Sequence, residues 1–173
     1  MAKFKFPTSD KSVSMLALFV SVATFVMFSY QTRLMKKQAY ASVLPYVEIW
    51  YNRPDEQHFN FNIVNSGIGP AFIQNYYIEY KDSTYQMDPG TFVNTVINKA
   101  DSIQFTYSNL RKGRLVPAGE SVILLSADES KDSARTLFNL FSREDAKLII
   151  HFSSVYDENW RVDGMLAQPV RTD

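Results

Sequence analysis

The chain of 173 residues carries 18 Lys/Arg against 18 Asp/Glu, has no cysteine and is 46% hydrophobic. The absence of cysteine excludes a disulfide framework and any thiolate metal site. A neutral chain with no basic stripe argues against a nucleic-acid partner.

The charge is unevenly placed. Residues 1–45 hold six Lys/Arg and one acid, a balance of +5, and the remainder holds twelve against seventeen, or −5. Positive charge therefore flanks the apolar run described next, where anionic headgroups would attract it.

Residues 1–12 read as a short polar tail with Phe4, Phe6 and Pro7. Val13–Tyr30 follows, eighteen residues without a charge, Gly or Pro, between Lys11 and Arg33. At about 1.5 Å per residue, this length matches a hydrocarbon core of about 30 Å. Ser14, Ser21, Thr24 and Ser29 interrupt it mildly, because a helical hydroxyl can bond to a carbonyl of the preceding turn. A membrane-spanning helix is expected over 13–32. Ala39-Tyr40-Ala41 has the small-x-small look of a cleavage site, but it lies eleven residues beyond Phe28 with Arg33, Lys36 and Lys37 between. The segment reads as an uncleaved anchor. Three cations on each side leave the positive-inside rule tied, and a short tail before a single span favours the tail inside and the domain outside. The reverse orientation stays open. No Asn-x-Ser/Thr sequon marks an outer side.

Residues 33–45 contain good helix formers and no breaker before Pro45, so they are expected to continue the helix as a stalk. Tyr30, Leu34, Ala41 and Leu44 follow a 3-4 spacing, with Lys37 where an apolar residue should stand. That stripe, or Ala17-xxx-Ser21 in the span, offers a route to a homo-oligomer. It is too short for a coiled coil.

From Tyr46 the period changes to alternation, and 46–168 is expected to be one β domain, with 169–173 as a tail. Val47, Ile49 and Tyr51 share one face, as do Phe59, Phe61 and Ile63. Phe72, Tyr76, Ile78 and Tyr80 are expected on one side of the next strand, and Ile103, Phe105 and Tyr107 on one side of another. ESVILLSA and AKLIIHFSSVY are more continuously apolar than the alternating strands, as central strands covered on both faces would be. Trp160 and Val162 mark a last strand. Asp88-Pro89 offers an N-cap and a first-turn proline, followed by Phe92, Val93, Val96 and Ile97. Ala134, Leu137, Phe138 and Phe141 predict a second amphipathic helix starting near Ser130, with Asp132 in its first turn. The fold class expected is mainly β: a transmembrane helix and stalk, then an immunoglobulin-like antiparallel sandwich carrying two short helices.

No catalytic, cofactor-binding or metal-binding residues are expected. Asn65-Ser66-Gly67-Ile68-Gly69-Pro70-Ala71 lacks phosphate-loop spacing and reads as a structural turn through Asn65, Gly67, Gly69 and Pro70, whose first three residues tolerate positive φ. His58 and His151 lie opposite in phase to their apolar neighbours, which disfavours a histidine pair. Asp128–Asp132 fails as a calcium loop, having Ser133 and Asn139 where Gly and Glu are required. Asp157-Glu158-Asn159 reads as a hairpin turn. Outward Tyr46, Trp50 and Tyr77 form the candidate interaction patch.

YQTRLMKKQAYASVLPYVEI after a span, NSGIGPA after a strand and VYDENW near the end together resemble a family of small, uncharacterised bacterial membrane proteins. The resemblance implies a bacterial inner-membrane protein with one N-terminal span and one β-sandwich-like domain. It implies no activity. The function expected is a non-catalytic, membrane-anchored protein-interaction module, an accessory subunit beside another membrane or periplasmic protein. A membrane-tethered sensor or carbohydrate-binding domain and an enzyme with a carboxylate site are the alternatives. No cofactor is expected, and the partners are the lipid bilayer and a protein, not nucleic acid.

Overall fold

The computed structural model describes residues 10–53, 55–98, 102–143, 145–165 and 167–172. Lys3 and Lys5 of the tail lie outside them. The chain forms two compact units, residues 1–41 and 42–173.

In the first unit, Asp10–Ala41 is one unbroken helix, α1. It is long and apolar enough to cross a membrane, and its apolar side chains are exposed where those of a core helix would be buried. Ser21, Thr24, Ser29 and Thr32 each bond to the carbonyl four residues earlier at 2.7–2.8 Å. Their hydroxyls are thereby satisfied without water. The segments expected as span and stalk form one continuous helix, which stops four residues short of Pro45.

The second unit contains two antiparallel sheets. The first, sheet A, has the order β1 (Val47–Asn52), β2 (Phe59–Asn65), β7 (Ser121–Ala127), β5 (Thr106–Tyr107). Sheet B runs β10 (Val170–Arg171), β9 (Asn159–Asp163), β8 (Ala146–Ser153), β3 (Ala71–Tyr80), β4 (Ser83–Tyr85), with β6 (Leu115–Val116) also paired to β3. One hydrophobic core takes Phe59, Phe61 and Ile63 from sheet A and Ile73, Ile78, Ile150 and Phe152 from sheet B. The β3–β4 turn uses Lys81 (φ 47) and Asp82 (φ 58), the left-handed pair that matches strand twist in a two-residue hairpin.

Both helices start where their capping residues predict. Asp88 accepts from the Thr91 backbone N–H at 3.1 Å and caps α2 (Pro89–Phe92), which widens into a π-helical turn over Val93–Ile97. Phe92 packs between Tyr80 and Tyr85 with ring centroids 5.5 and 5.3 Å away. Ser130 caps α3 (Lys131–Ser142), and Phe141 of α3 stacks on Phe61 at 4.4 Å.

Four local expectations need correction. In β3 a bulge at Gln74 shifts the register between Ile73 and Asn75. Ala71 and Ile73 are therefore buried before it, Tyr76, Ile78 and Tyr80 face inward after it, and Phe72 leaves their side. In β7 a second bulge, between the partners of Phe61 and Asn62, leaves Leu124 as the extra residue. Leu124 and Leu125 are both buried while Ile123 is 48% exposed, so the apolar run reflects a bulge and an open face, not a strand covered on both sides. Of the Ile103–Tyr107 segment only Thr106–Tyr107 pairs as a strand, and Tyr107 is exposed. The expected tail contains β10, which pairs with β9.

Candidate interaction face

The outer surface of sheet A is built by register. Val47, Ile49, Phe59, Phe61 and Ile63 point into the core, so alternation turns their neighbours outward. Pairing aligns these neighbours in three rows across β1, β2 and β7: Glu48, Val64 and Ser121; Trp50, Asn62 and Ile123; Asn52, Asn60 and Ser126. Glu48 is the one charged residue of the nine, and its carboxylate accepts from the Ser66 hydroxyl at 2.6 Å. Trp50, 47% exposed, and Ile123 stand at the two ends of the middle row. Asn62 donates to the Ser121 hydroxyl at 3.0 Å, and the side-chain carbonyl oxygens of Asn60 and Asn62, like that of Asn75 in sheet B, are covered and have no hydrogen-bond partner among the described residues.

The outer surface of sheet B differs. Its rows are Tyr77, Ile149 and Asp163, then Asn75, His151, Arg161 and Val170, then Glu79 and Lys147. The Arg161 guanidinium donates to Asp163 at 2.5 Å. The Tyr77 and His151 rings lie 5.9 Å apart. Ile149 is fully buried although it belongs to this outer side and not to the core cluster. Burial and then the charge of Arg161 lower the His151 pKa, against the smaller opposing influence of Asp163. Gln74 donates to the Ser153 hydroxyl at 2.8 Å.

The structure does not bring Tyr46, Trp50 and Tyr77 together. Tyr46 and Trp50 share the outer phase of the β1 segment with Glu48 between them, whereas Tyr77 belongs to the other sheet. They form no trough of parallel rings. Ile123, the missing partner of Trp50, escaped sequence reasoning because the bulge beside it hid the alternation.

The NSGIGPA segment is a packed joint. Asn65 is fully buried and its side chain makes four hydrogen bonds. It donates to the carbonyls of Gly69 (2.8 Å) and Val116 (3.0 Å) and accepts from the N–H groups of Tyr46 and Gly67, both at 3.1 Å. The glycines are needed for a reason other than positive φ, which neither adopts. A Cβ at Gly67 would overlap the backbone of Leu44, Pro45 and Tyr46, and one at Gly69 the backbone of Val43. Close backbone approach sets these positions.

His58 binds Asp55 at 2.7 Å in the loop before β2 of sheet A, whereas His151 lies in β8 of sheet B. The His58 hydrogen bond and the Gln57 N–H hold the Asp55 carboxyl below its usual range. Asp128 and Glu129 line an open cleft of about 400 Å³, where the Ser126 hydroxyl bonds to Asp128. Among the described residues no group of three or more His, Asp or Glu is placed to hold a metal ion. The Ser154–Glu158 turn closes the β8–β9 hairpin, with Asp157 at φ 60 and Glu158 paired to Arg171 at 2.7 Å. No protein-family model, no curated protein and no solved structure matches this chain.

Proposed function

We propose that this chain is a single-pass membrane-anchored protein-interaction module, acting without catalysis as an accessory subunit of a bacterial inner-membrane complex. α1 is the anchor, with its N-terminal tail on the cytoplasmic side and residues 42–173 outside. The domain is an immunoglobulin-like sandwich. Supporting that reading, β1-β2-β7-β5 opposite β9-β8-β3-β4 repeats the A-B-E-D and G-F-C-C′ strand orders of such folds. Protease treatment of intact spheroplasts tests the orientation, because cleavage within 42–173 occurs only if the domain is outside.

The observation that carries the function is the outer face of sheet A. Nine residues in register include one charge, an exposed Trp and an exposed Ile. Interface centres are depleted of charge and enriched in aromatic residues, and an edge strand such as β1 adds main-chain groups for a partner. The test is photocrosslinking from residues 50 and 123 in native membranes, with residue 147 of sheet B as control, followed by mass spectrometry. A recurrent protein captured from 50 and 123 but not from 147 is expected. Capture of nothing recurrent from sheet A, or of the same proteins from both faces, overturns the proposal.

A further inference from the structure

Sheet A ends at β5 in a segment that faces water. Residues 102–109 carry no charge and no proline, and Gln104, Thr106, Tyr107, Ser108 and Asn109 are exposed. The pairing with β7 fixes which main-chain groups point outward, because hydrogen-bonded positions alternate along an antiparallel pair. Ser108 donates its N–H to the Leu124 carbonyl at 3.1 Å, in the register that sets Thr106 opposite Ser126. Thr106 and Ser108 therefore turn their main chain to β7, and Phe105 and Tyr107 turn theirs to the open edge. Among the described residues, neither of these two has a main-chain hydrogen-bond partner. The segment is nonetheless held in place. Gln104 donates its N–H to the Ser133 hydroxyl of α3 at 2.9 Å. The Tyr107 ring lies so close on α2 that a Cβ at Gly90 would overlap it. A fixed edge accepts an added strand without first having to be ordered.

Beside this edge lies the open cleft of about 400 Å³, lined by Phe105, Thr106, Ser126, Asp128 and Glu129 among others. Neither Asp128 nor Glu129 has an ion pair among the described residues, and Lys131, the first cation after them in sequence, is taken by Glu56. We infer that the β5 edge and this cleft receive an extended, basic segment of a partner protein, which adds as a strand to sheet A. Its main chain bonds to Phe105 and Tyr107, and a lysine or arginine on its outward face enters the cleft to meet Asp128 and Glu129. An added strand stands about 5 Å beyond β5, so a long cationic side chain lying over Thr106 reaches the carboxylates. On its other face, β-branched residues pair well with the Phe105 and Tyr107 rings, which are 5.8 Å apart. Charge selects the occupant. A second copy of the same edge would bring no cation, since residues 102–109 contain none. The inference concerns the edge of the sheet and stands whether or not its outer face is covered.

The test is amide hydrogen exchange of the full chain in detergent, resolved to single residues. The probe is a short capped peptide alternating threonine with lysine, and its control has glutamate for each lysine. In the free chain the N–H groups of Phe105 and Tyr107 should exchange at least about tenfold faster than those of Thr106 and Ser108. The lysine peptide should slow Phe105 and Tyr107 at saturation, and the glutamate peptide should not. Asp128→Asn with Glu129→Gln should weaken the apparent affinity for the lysine peptide by about tenfold or more. Tyr107→Pro removes an outward N–H and leaves the bonds of Thr106 and Ser108 to β7, so it should abolish the slowing at Phe105. If that variant melts early, the charge variant decides. No slowing by the lysine peptide overturns the proposal, and equal slowing by both peptides overturns the basic partner. Slow exchange at Phe105 and Tyr107 in the free chain that quickens on dilution assigns the edge to a second copy. Slow exchange that ignores dilution shows the edge closed, and both results also overturn the proposal.

Discussion

The outer rows of sheet B carry Glu79, Lys147, Arg161 and Asp163, whereas the nine outward residues of sheet A include Glu48 as their one charge. Sheet B closes on itself: Arg161 meets Asp163, Tyr77 lies against His151, and Ile149 is sealed beneath its neighbours. Sheet A leaves Trp50 and Ile123 half exposed. A sheet face crossed by several charged side chains offers little apolar surface to a partner, whereas one with a single charge and an exposed Trp and Ile can gain by being covered. Under the proposed function, this contrast is the reason the partner is sought on sheet A.

The largest expected effect tests packing. Ile149→Ala should cost about 2–4 kcal/mol, since it removes a fully buried side chain and leaves a cavity. Ile123→Ala should cost less than about 1 kcal/mol, because the side chain is half exposed already. Urea unfolding of both variants in detergent checks this, and equal costs would erase the distinction between the faces. Next, Trp50→Ala with Ile123→Ser should abolish partner capture while the melting temperature falls by no more than about 4 °C. A variant that still captures the partner would move the interface elsewhere.

Arg161→Gln breaks the ion pair on sheet B, where both partners are about a third exposed. The expected loss is about 1 kcal/mol or less, with capture unchanged. The smallest effect concerns pH. His151 has a folded pKa below its unfolded value near 6.5, so the unfolded chain binds the proton more readily. Stability should therefore rise as pH increases from the lowered pKa through about 6.5 and then level off. Melting curves between about pH 5 and pH 8 should show this rise reduced in His151→Gln.

Much of the local structure was legible. The apolar run from Val13, the alternation of Phe59, Phe61 and Ile63, and the caps at Asp88 and Ser130 are short-range patterns, and each corresponds to an element or boundary observed. The candidate site was legible only in part. Trp50 could be read as outward from Ile49 and Tyr51, but grouping it with Tyr77 required knowing which strands share a sheet, and these two do not.

The amino-acid order by itself determined the long apolar helix, the change to strands at Tyr46 and the need for a tight joint after Asn65, because these follow from periodicity and residue size. Only the tertiary structure decided the bulges at Gln74 and Leu124, the row that joins Trp50 to Ile123, and the role of Gly67 and Gly69. The physical reason is separation along the chain. Asn65 is held by partners 19 and 51 residues away, and the glycines are shaped by backbone more than twenty residues upstream. Neither dependence leaves a mark on the neighbouring residues.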